Sequence, residues 1–238
     1  MSGDDYFDQR TDLLKIRFNA WLSQFSIKDS KVLDLGCGYA DAGGYVLENG
    51  ASKYVGIDMD SRNIEISNNN LKQYSNVSLI NSTVDEFLKV NKDQFDIILV
   101  GVLIHGIGDV IDFFKKLSEI SDRIVIETAH PFHSMFKNHV CSSSELYNLE
   151  YNTALTECHE STAPNHLMFL HSIKYLITIL NRLGFTENLI PYEKLKKELP
   201  QIYKFDLNGK LGDGRRYVLF FEKVNKSIPI TWEDTNAI

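Results

Sequence analysis

The sequence predicts an α/β fold, a mostly parallel sheet of seven strands with helices on both faces. Three observations predict it. First, Lys31–Asp60 reads K-V-L-D-L-G-C-G-Y-A-D-A-G-G-Y-V-L-E-N-G-A-S-K-Y-V-G-I-D-M-D. A short apolar run, a glycine turn, a helical segment, a second apolar run and an acid follow one another there, the order of a βαβ unit. Second, Phe95–Val100 and Arg123–Glu127 are further short apolar runs, the former of the kind buried on both faces of a sheet. Third, 238 residues with 43% hydrophobic content can bury a proper core. Residues 1–225 are therefore read as one domain and 226–238 as a tail.

The elements follow in order. Met1–Asp8 is polar apart from Tyr6 and Phe7. Between Thr11 and Phe25, the residues Leu13, Leu14, Ile16, Phe18, Trp21, Leu22 and Phe25 recur at helical spacing. That predicts an amphipathic helix, packed on the sheet edge or over the ligand mouth. Val32–Leu35 is the first strand; it carries one carboxylate, Asp34, and stops at Gly36-Cys37-Gly38. A helix spans Asp41–Glu48, with Asn49-Gly50 as its stop signal. Tyr54–Ile57 is the second strand and ends in Asp58. Ile64–Tyr74 reads as a polar-faced helix, and Val77–Ile80 as a third strand leading into a loop, Asn81–Asp85. The fourth strand, Phe95–Val100, ends in Gly101–Gly106; a helix over Asp109–Leu117 and a fifth strand over Arg123–Glu127 follow. Ile173–Leu183 is the last helix, stopped by Gly184. Phe185–Ile190 and Arg216–Glu222 close the sheet, the latter as an antiparallel insertion.

Pro131–Leu170 does not fit the minimal fold. These forty residues hold His133, His139, His159 and His166, several aromatics, one lysine and four glutamates. Long insertions in compact domains are usually lids or binding loops, so this one is expected to be the substrate cap.

Composition narrows the partners. A net charge of −7 argues against a broad nucleic-acid surface. Cys37, Cys141 and Cys158 have no C-x-x-C spacing, which suggests a reducing compartment and no disulfide framework. No apolar run reaches the roughly 18 residues that span a bilayer, and the polar, acidic start is not a signal peptide. The expectation is a cytoplasmic protein with a small-molecule substrate and no membrane partner; a homodimer stays open.

The chemistry starts at the glycine turn. Gly36 and Gly38 let the backbone turn tightly and approach a ligand closely. Asp58, at the carboxyl end of the second strand, can accept both hydroxyls of a ribose, a charge-assisted bond of that kind contributing about 1.5–3 kcal/mol. Two cofactors share this logic. A dinucleotide fingerprint, G-x-G-x-x-G/A, would put Gly or Ala at position 41, where Asp41 would face a pyrophosphate. A cofactor with a cationic amino-acid end wants a carboxylate near the turn, and Asp34 supplies one. The pattern D-x-G-x-G thus favours S-adenosylmethionine (SAM) over NAD.

Val32-Leu33-Asp34-Leu35-Gly36-Cys37-Gly38 resembles motif I of the class I SAM-dependent methyltransferases, and Val55–Asp60 resembles their ribose-binding motif. The usual third glycine is Ala40 here. The resemblance implies a Rossmann-like methyltransferase fold with SAM as cofactor. It implies that Met59 packs on one adenine face, where a soft thioether suits the role. It implies that Ser82, standing where an acid is usual, and the backbone of Thr83 and Val84 meet the adenine. It sets Gly101 and its loop beside the methionyl chain. Tyr6 and Arg10 are its candidates for closing over the cofactor, Arg10 on the methionyl carboxylate, with surface packing as the competing reading. Leu103-Ile104-His105 together with Arg123–Thr128 is similar to the tRNA wobble-uridine carboxymethyl/methyl-transferase-like branch and its small-molecule relatives.

Methyl transfer asks the protein to align a nucleophile and exclude water. A general base helps where the nucleophile carries a proton, and histidine suits that task near neutral pH. His130 and His133 are the candidates; His105 follows another strand end and is read as pocket wall. His171 is expected to begin a helix bordering the pocket. His130-x-x-His133 with His139 invites a metal reading, but Pro131 disfavours helix there and no cysteine lies at zinc spacing. Glu127 is either a substrate acid or a structural one at a strand end. Lys194, Lys196, Lys197, Arg215 and Arg216 read as a solvated face rather than a basic rim. The function expected is methyl transfer to an oxygen or nitrogen of a small molecule. An RNA methyltransferase, a non-catalytic SAM-binding module and an NAD oxidoreductase are its rivals, in that order.

Overall fold

The computed structural model describes Phe18, Leu22 and residues 25–129, 153–158, 166–189 and 216–224. The expectations placed on Tyr6, Arg10, His130, His133, His139, the lysine run at 194–197 and the tail lie outside the described residues.

The chain alternates strand and helix as expected. The elements are β1 (Lys31–Leu35), α1 (Asp41–Glu48), β2 (Lys53–Asp58), α2 (Ser61–Asn70), β3 (Val77–Asn81), α3 (Val84–Val90) and β4 (Ile97–Val100). A 3₁₀ turn (Val102–Gly106), α4 (Val110–Ile120) and β5 (Arg123–Ala129) come next. Then follow β6 (Thr153–Cys158), β7 (His166–His171), α5 (Ile173–Arg182), β8 (Phe185–Leu189) and β9 (Arg216–Lys223). The main sheet has seven strands in the order β3-β2-β1-β4-β5-β9-β8. The first five pair in parallel, and β9 slots antiparallel between β5 and β8. β6 and β7 form a separate antiparallel hairpin inside the 131–170 insertion.

Burial explains the apolar runs. Ile97, Ile98, Leu99 and Val100 have no exposed surface because the sheet is covered on both sides. Leu33, Leu35, Ile98, Val100, Ile124 and Ile126 face α4 and α5. Val32, Tyr54, Leu99, Val125 and Phe220 face α1, and the helical residues Phe18 and Leu22 join that side. In α4, Val110, Phe113, Phe114, Leu117 and Ile120 fall on one buried stripe. Each such side chain contributes about 1.5–3 kcal/mol when fully buried, so the two core layers dominate the stability.

Several boundaries differ from expectation: β4 starts later, at Ile97, α4 runs on to Ile120 and β5 to Ala129. The helix read over Ile64–Tyr74 runs earlier, over Ser61–Asn70, because the Asp60 side chain accepts the Arg62 N–H and caps it. The segment read as the loop Asn81–Asp85 turns helical at Val84. Thr83 and Glu86 form a capping box there, and Phe87 alone is buried in the seven-residue α3, too little for periodicity to reveal. The sheet order reverses between β1 and β4, and open α/β sheets bind ligands outside the carboxyl ends at such a point.

Candidate active site

The turn after β1 lies at that point. Gly36 and Gly38 have φ of +70° and +56°, values glycine adopts freely. Ala40 also has φ of +55° and so keeps the left-handed conformation of the missing third glycine. Its strain costs about 1–2 kcal/mol. The turn is fastened on two sides. The N–H groups of Gly36 and Cys37 both donate to the Ile57 carbonyl at 2.9 Å. On the other side, Ser67 Oγ donates to the Gly38 carbonyl at 2.8 Å and Asn70 Nδ2 to the Tyr39 carbonyl at 3.0 Å.

Asp58 closes the turn from the end of β2. Its Oδ2 accepts the Gly38 N–H at 2.9 Å; its Oδ1 accepts the Asp60 N–H at 2.8 Å and Asn63 Nδ2 at 3.2 Å. Next to it in the chain, Met59 is 76% exposed; Ile80, on β3 opposite Ile57, is 37% exposed. Asn81 Nδ2 donates to the carbonyls of Asp58 and Met59, and the Ser82 N–H donates to the Asp58 carbonyl. Ser82 Oγ reaches the Thr83 carbonyl at 2.9 Å. The Thr83 N–H meets Glu86 Oε2 at 3.3 Å inside the capping box, so it is engaged within the protein, and Val84 begins the helix.

Below the turn, Asp34 is buried and its Oδ2 accepts the Tyr54 hydroxyl at 2.7 Å. Tyr54 is fully buried, and burial first, then the Asp34 charge, hold its phenol well above its ordinary pKa. Cys37 sits beside the pair. Burial, with the charges of Asp34 and Asp58, pushes its thiol far up, which keeps it a neutral thiol.

The 3₁₀ turn after β4 forms the next wall. Gly101 opens it, and a Cβ on Gly36 would stand 3.3 Å from Leu103, so the glycine turn and this turn pack together. His105 is fully buried: its Nδ1 lies 2.9 Å from the Phe169 carbonyl and its Nε2 3.5 Å from Thr128 Oγ1. A carbonyl only accepts, so Nδ1 carries the proton. His171 lies on β7 rather than at a helix start, because Ser172 caps α5 one residue later; its Nε2 donates to the Ile107 carbonyl at 2.9 Å. Two histidines thus cross-link the hairpin and the 3₁₀ turn in opposite directions. Glu127 is buried at the end of β5.

The fold therefore brings Asp34, Gly36, Cys37, Gly38, Asp58, Met59, Ser82, Thr83, Val84 and Gly101 to one end of the sheet, around the switch point. The sequence reading assigns no individual site role to Tyr54, Asn63, Ser67, Asn70 or Asn81; it places Tyr54 only as the start of a strand and Asn81 as the start of a loop. A signal for three of them was present: Asn63, Ser67 and Asn70 recur at helical spacing and form a polar stripe. Among the described residues no group of three metal-ligating side chains occurs, and no helix is long and apolar enough to cross a membrane.

The site fits SAM on its own geometry. Among the described residues, a Cβ on Gly38 would meet nothing within 4 Å, so they leave the outer side of the turn open. Exposed Met59 next to an acid at a strand end suits an adenosine, and buried Asp34 suits the cationic end. Fold and site together define a class I SAM-dependent methyltransferase. The chain belongs to the methyltransferase-domain family, whose model matches residues 26–206. A search of curated proteins finds no match. Among solved structures, an assigned SAM-dependent methyltransferase from Listeria monocytogenes is similar at 16% identity and a TM-score of 0.65, over 90% of this chain and 99% of that one. A SAM-dependent methyltransferase from Mesorhizobium loti is similar at 15% identity and a TM-score of 0.63, over 87% and 95%. The magnesium protoporphyrin IX methyltransferase of Synechocystis PCC 6803, with S-adenosylhomocysteine bound, is similar at 11% identity and a TM-score of 0.57, over 91% and 84%. These likenesses bear on the fold, and the family model on the class; nothing in either singles out the wobble-uridine branch.

Proposed function

We propose that this methyltransferase acts on an oxygen, or less favourably a nitrogen, of a small molecule enclosed by the 131–170 insertion. One observation carries the reading. The β6–β7 hairpin of the insertion folds back onto the 3₁₀ turn after β4, held by His105 on the Phe169 carbonyl and His171 on the Ile107 carbonyl. A hairpin so placed borders the end of the sheet where the cofactor site lies, and it suits a small, enclosed acceptor better than a long exposed strand. The insertion carries four glutamates and one lysine, which favours a neutral or cationic acceptor over a polyanion.

Bound SAM supplies an activated methyl group. The chain's part is to hold and orient. Asp34 faces the cationic end, Asp58 the ribose, Met59 and the Ser82–Val84 segment the adenine. Gly101 and the 3₁₀ turn border the methionyl chain. His130 and His133, just beyond the end of β5, are the candidates for taking the acceptor's proton. His105 already donates its Nδ1–H to the Phe169 carbonyl and acts as a pin in the pocket wall.

The test is methyl partitioning. The protein is incubated with methyl-labelled SAM and a lysate divided into small-molecule, RNA and protein fractions. Label in the small-molecule fraction supports the reading, and the product's mass identifies the acceptor. Label confined to RNA overturns it.

A further inference from the structure

We propose that Asn63 is a second ribose ligand, sharing the cofactor's two hydroxyls with Asp58. The inference rests on the reading of Asp58 as the ribose acid and goes beyond it. A carboxylate has about four acceptor directions. Asp58 already uses three of them, on the Gly38 N–H, the Asp60 N–H and Asn63 Nδ2. It has room for one hydroxyl, whereas a ribose edge presents two, and a buried hydroxyl without a partner is unfavourable.

Asn63 meets the need. Asp58 only accepts, so the amide must turn its Nδ2 toward the carboxylate and its Oδ1 to the other side. Among the described residues, that Oδ1 has no hydrogen-bond partner. Its bond to Asp58, at 3.2 Å, is the longest of the three on that carboxylate and the easiest to yield. The position is fixed by the helix. Asn63, Ser67 and Asn70 lie on one stripe of α2, and the other two hold the carbonyls of Gly38 and Tyr39. A carboxylate at position 63 would repel Asp58; a neutral amide adds acceptor capacity without that repulsion.

The experiment is calorimetric binding of S-adenosylhomocysteine and of its 2′-deoxy and 3′-deoxy forms. The proteins are the native chain and its Asn63→Ala, Ser67→Ala and Asp58→Ala variants, each first checked for cooperative unfolding without ligand. Asn63→Ala is expected to weaken S-adenosylhomocysteine about twofold to tenfold, the range of one hydrogen bond. One of the two deoxy forms, the one lacking the hydroxyl that Asn63 holds, is expected to bind the variant and the native chain alike. Ser67→Ala acts through the turn and is expected to weaken all three ligands by the same factor. Unchanged binding by Asn63→Ala, or the same loss for all three ligands, overturns the inference while a weakened Asp58→Ala leaves the ribose acid standing. Unchanged binding by Asp58→Ala removes the ribose reading and this inference with it.

Discussion

Replacing Tyr54 by phenylalanine isolates one hydrogen bond beneath the cofactor turn. The ring remains, so packing against α1 and β1 is preserved; the hydroxyl that donates to Asp34 Oδ2 at 2.7 Å is lost. Tyr54 is 0% exposed and Asp34 6%, so water does not readily replace the donor. A hydrogen bond to a buried charge contributes about 1.5–3 kcal/mol, and a domain of this size shifts by about 2–4 °C per kcal/mol. The variant should therefore melt roughly 3–12 °C lower. The gap should also depend on pH. The phenol's pKa is raised in the folded chain, chiefly by burial and next by the Asp34 charge. Its contribution is thus complete below the unfolded value of about 10 and is lost as pH rises beyond it, by about 1.4 kcal/mol per pH unit. Phenylalanine has no such proton. Urea unfolding of both proteins at pH 8, 10 and 11 should show the gap narrowing as pH rises. No gap at pH 8, or the same gap at every pH, would refute the Tyr54–Asp34 pairing.

Three further outcomes are expected. Gly43→Ala should destabilise by about 1–3 kcal/mol, since its Cβ would stand 2.7 Å from the Tyr54 ring, whereas Gly44→Ala, with 3.8 Å of clearance, should stabilise by about 0.5–1 kcal/mol through helix propensity; thermal unfolding of the two gives opposite signs. Thr83→Ala removes the capping box of α3 and should cost about 0.5–2 kcal/mol by urea denaturation. Burial holds the pKa of His171 below its ordinary value, so the stability it contributes is present above about pH 6.5 and is lost as pH falls below it. Native protein and His171→Gln compared at pH 7.5 and pH 5 should therefore differ less at the lower pH.

Features that force a backbone conformation were legible in the sequence. Gly36 and Gly38 announce a turn because few other residues take their φ, and Asn49-Gly50 marks the helix end where Gly50 has φ of +87°. Ala40 marks the limit of that logic. It holds the same left-handed conformation without the residue that advertises it, so the motif looked degraded where the geometry is intact. The strands were legible because burial on both faces leaves only apolar types. That same burial hid Tyr54, whose hydroxyl finds its partner on the neighbouring strand, twenty positions away. Pairings of that kind have no sequence period. The histidines show the same limit from the other side. His105 and His171 drew notice as titratable groups near a pocket, yet each points a ring nitrogen at a main-chain carbonyl of the other's segment, sixty-four positions away. A ring that donates to a carbonyl is a joint between segments, and what it joins is the insertion to the cofactor wall. Ser67 and Asn70 hold the glycine turn in the same way, and Asn63 holds the Asp58 carboxylate that closes it. The glycine turn is thus held by neutral polar side chains reaching across the fold together with Asp58, whose carboxylate accepts the Gly38 N–H, while Asp34 beneath it accepts the Tyr54 hydroxyl.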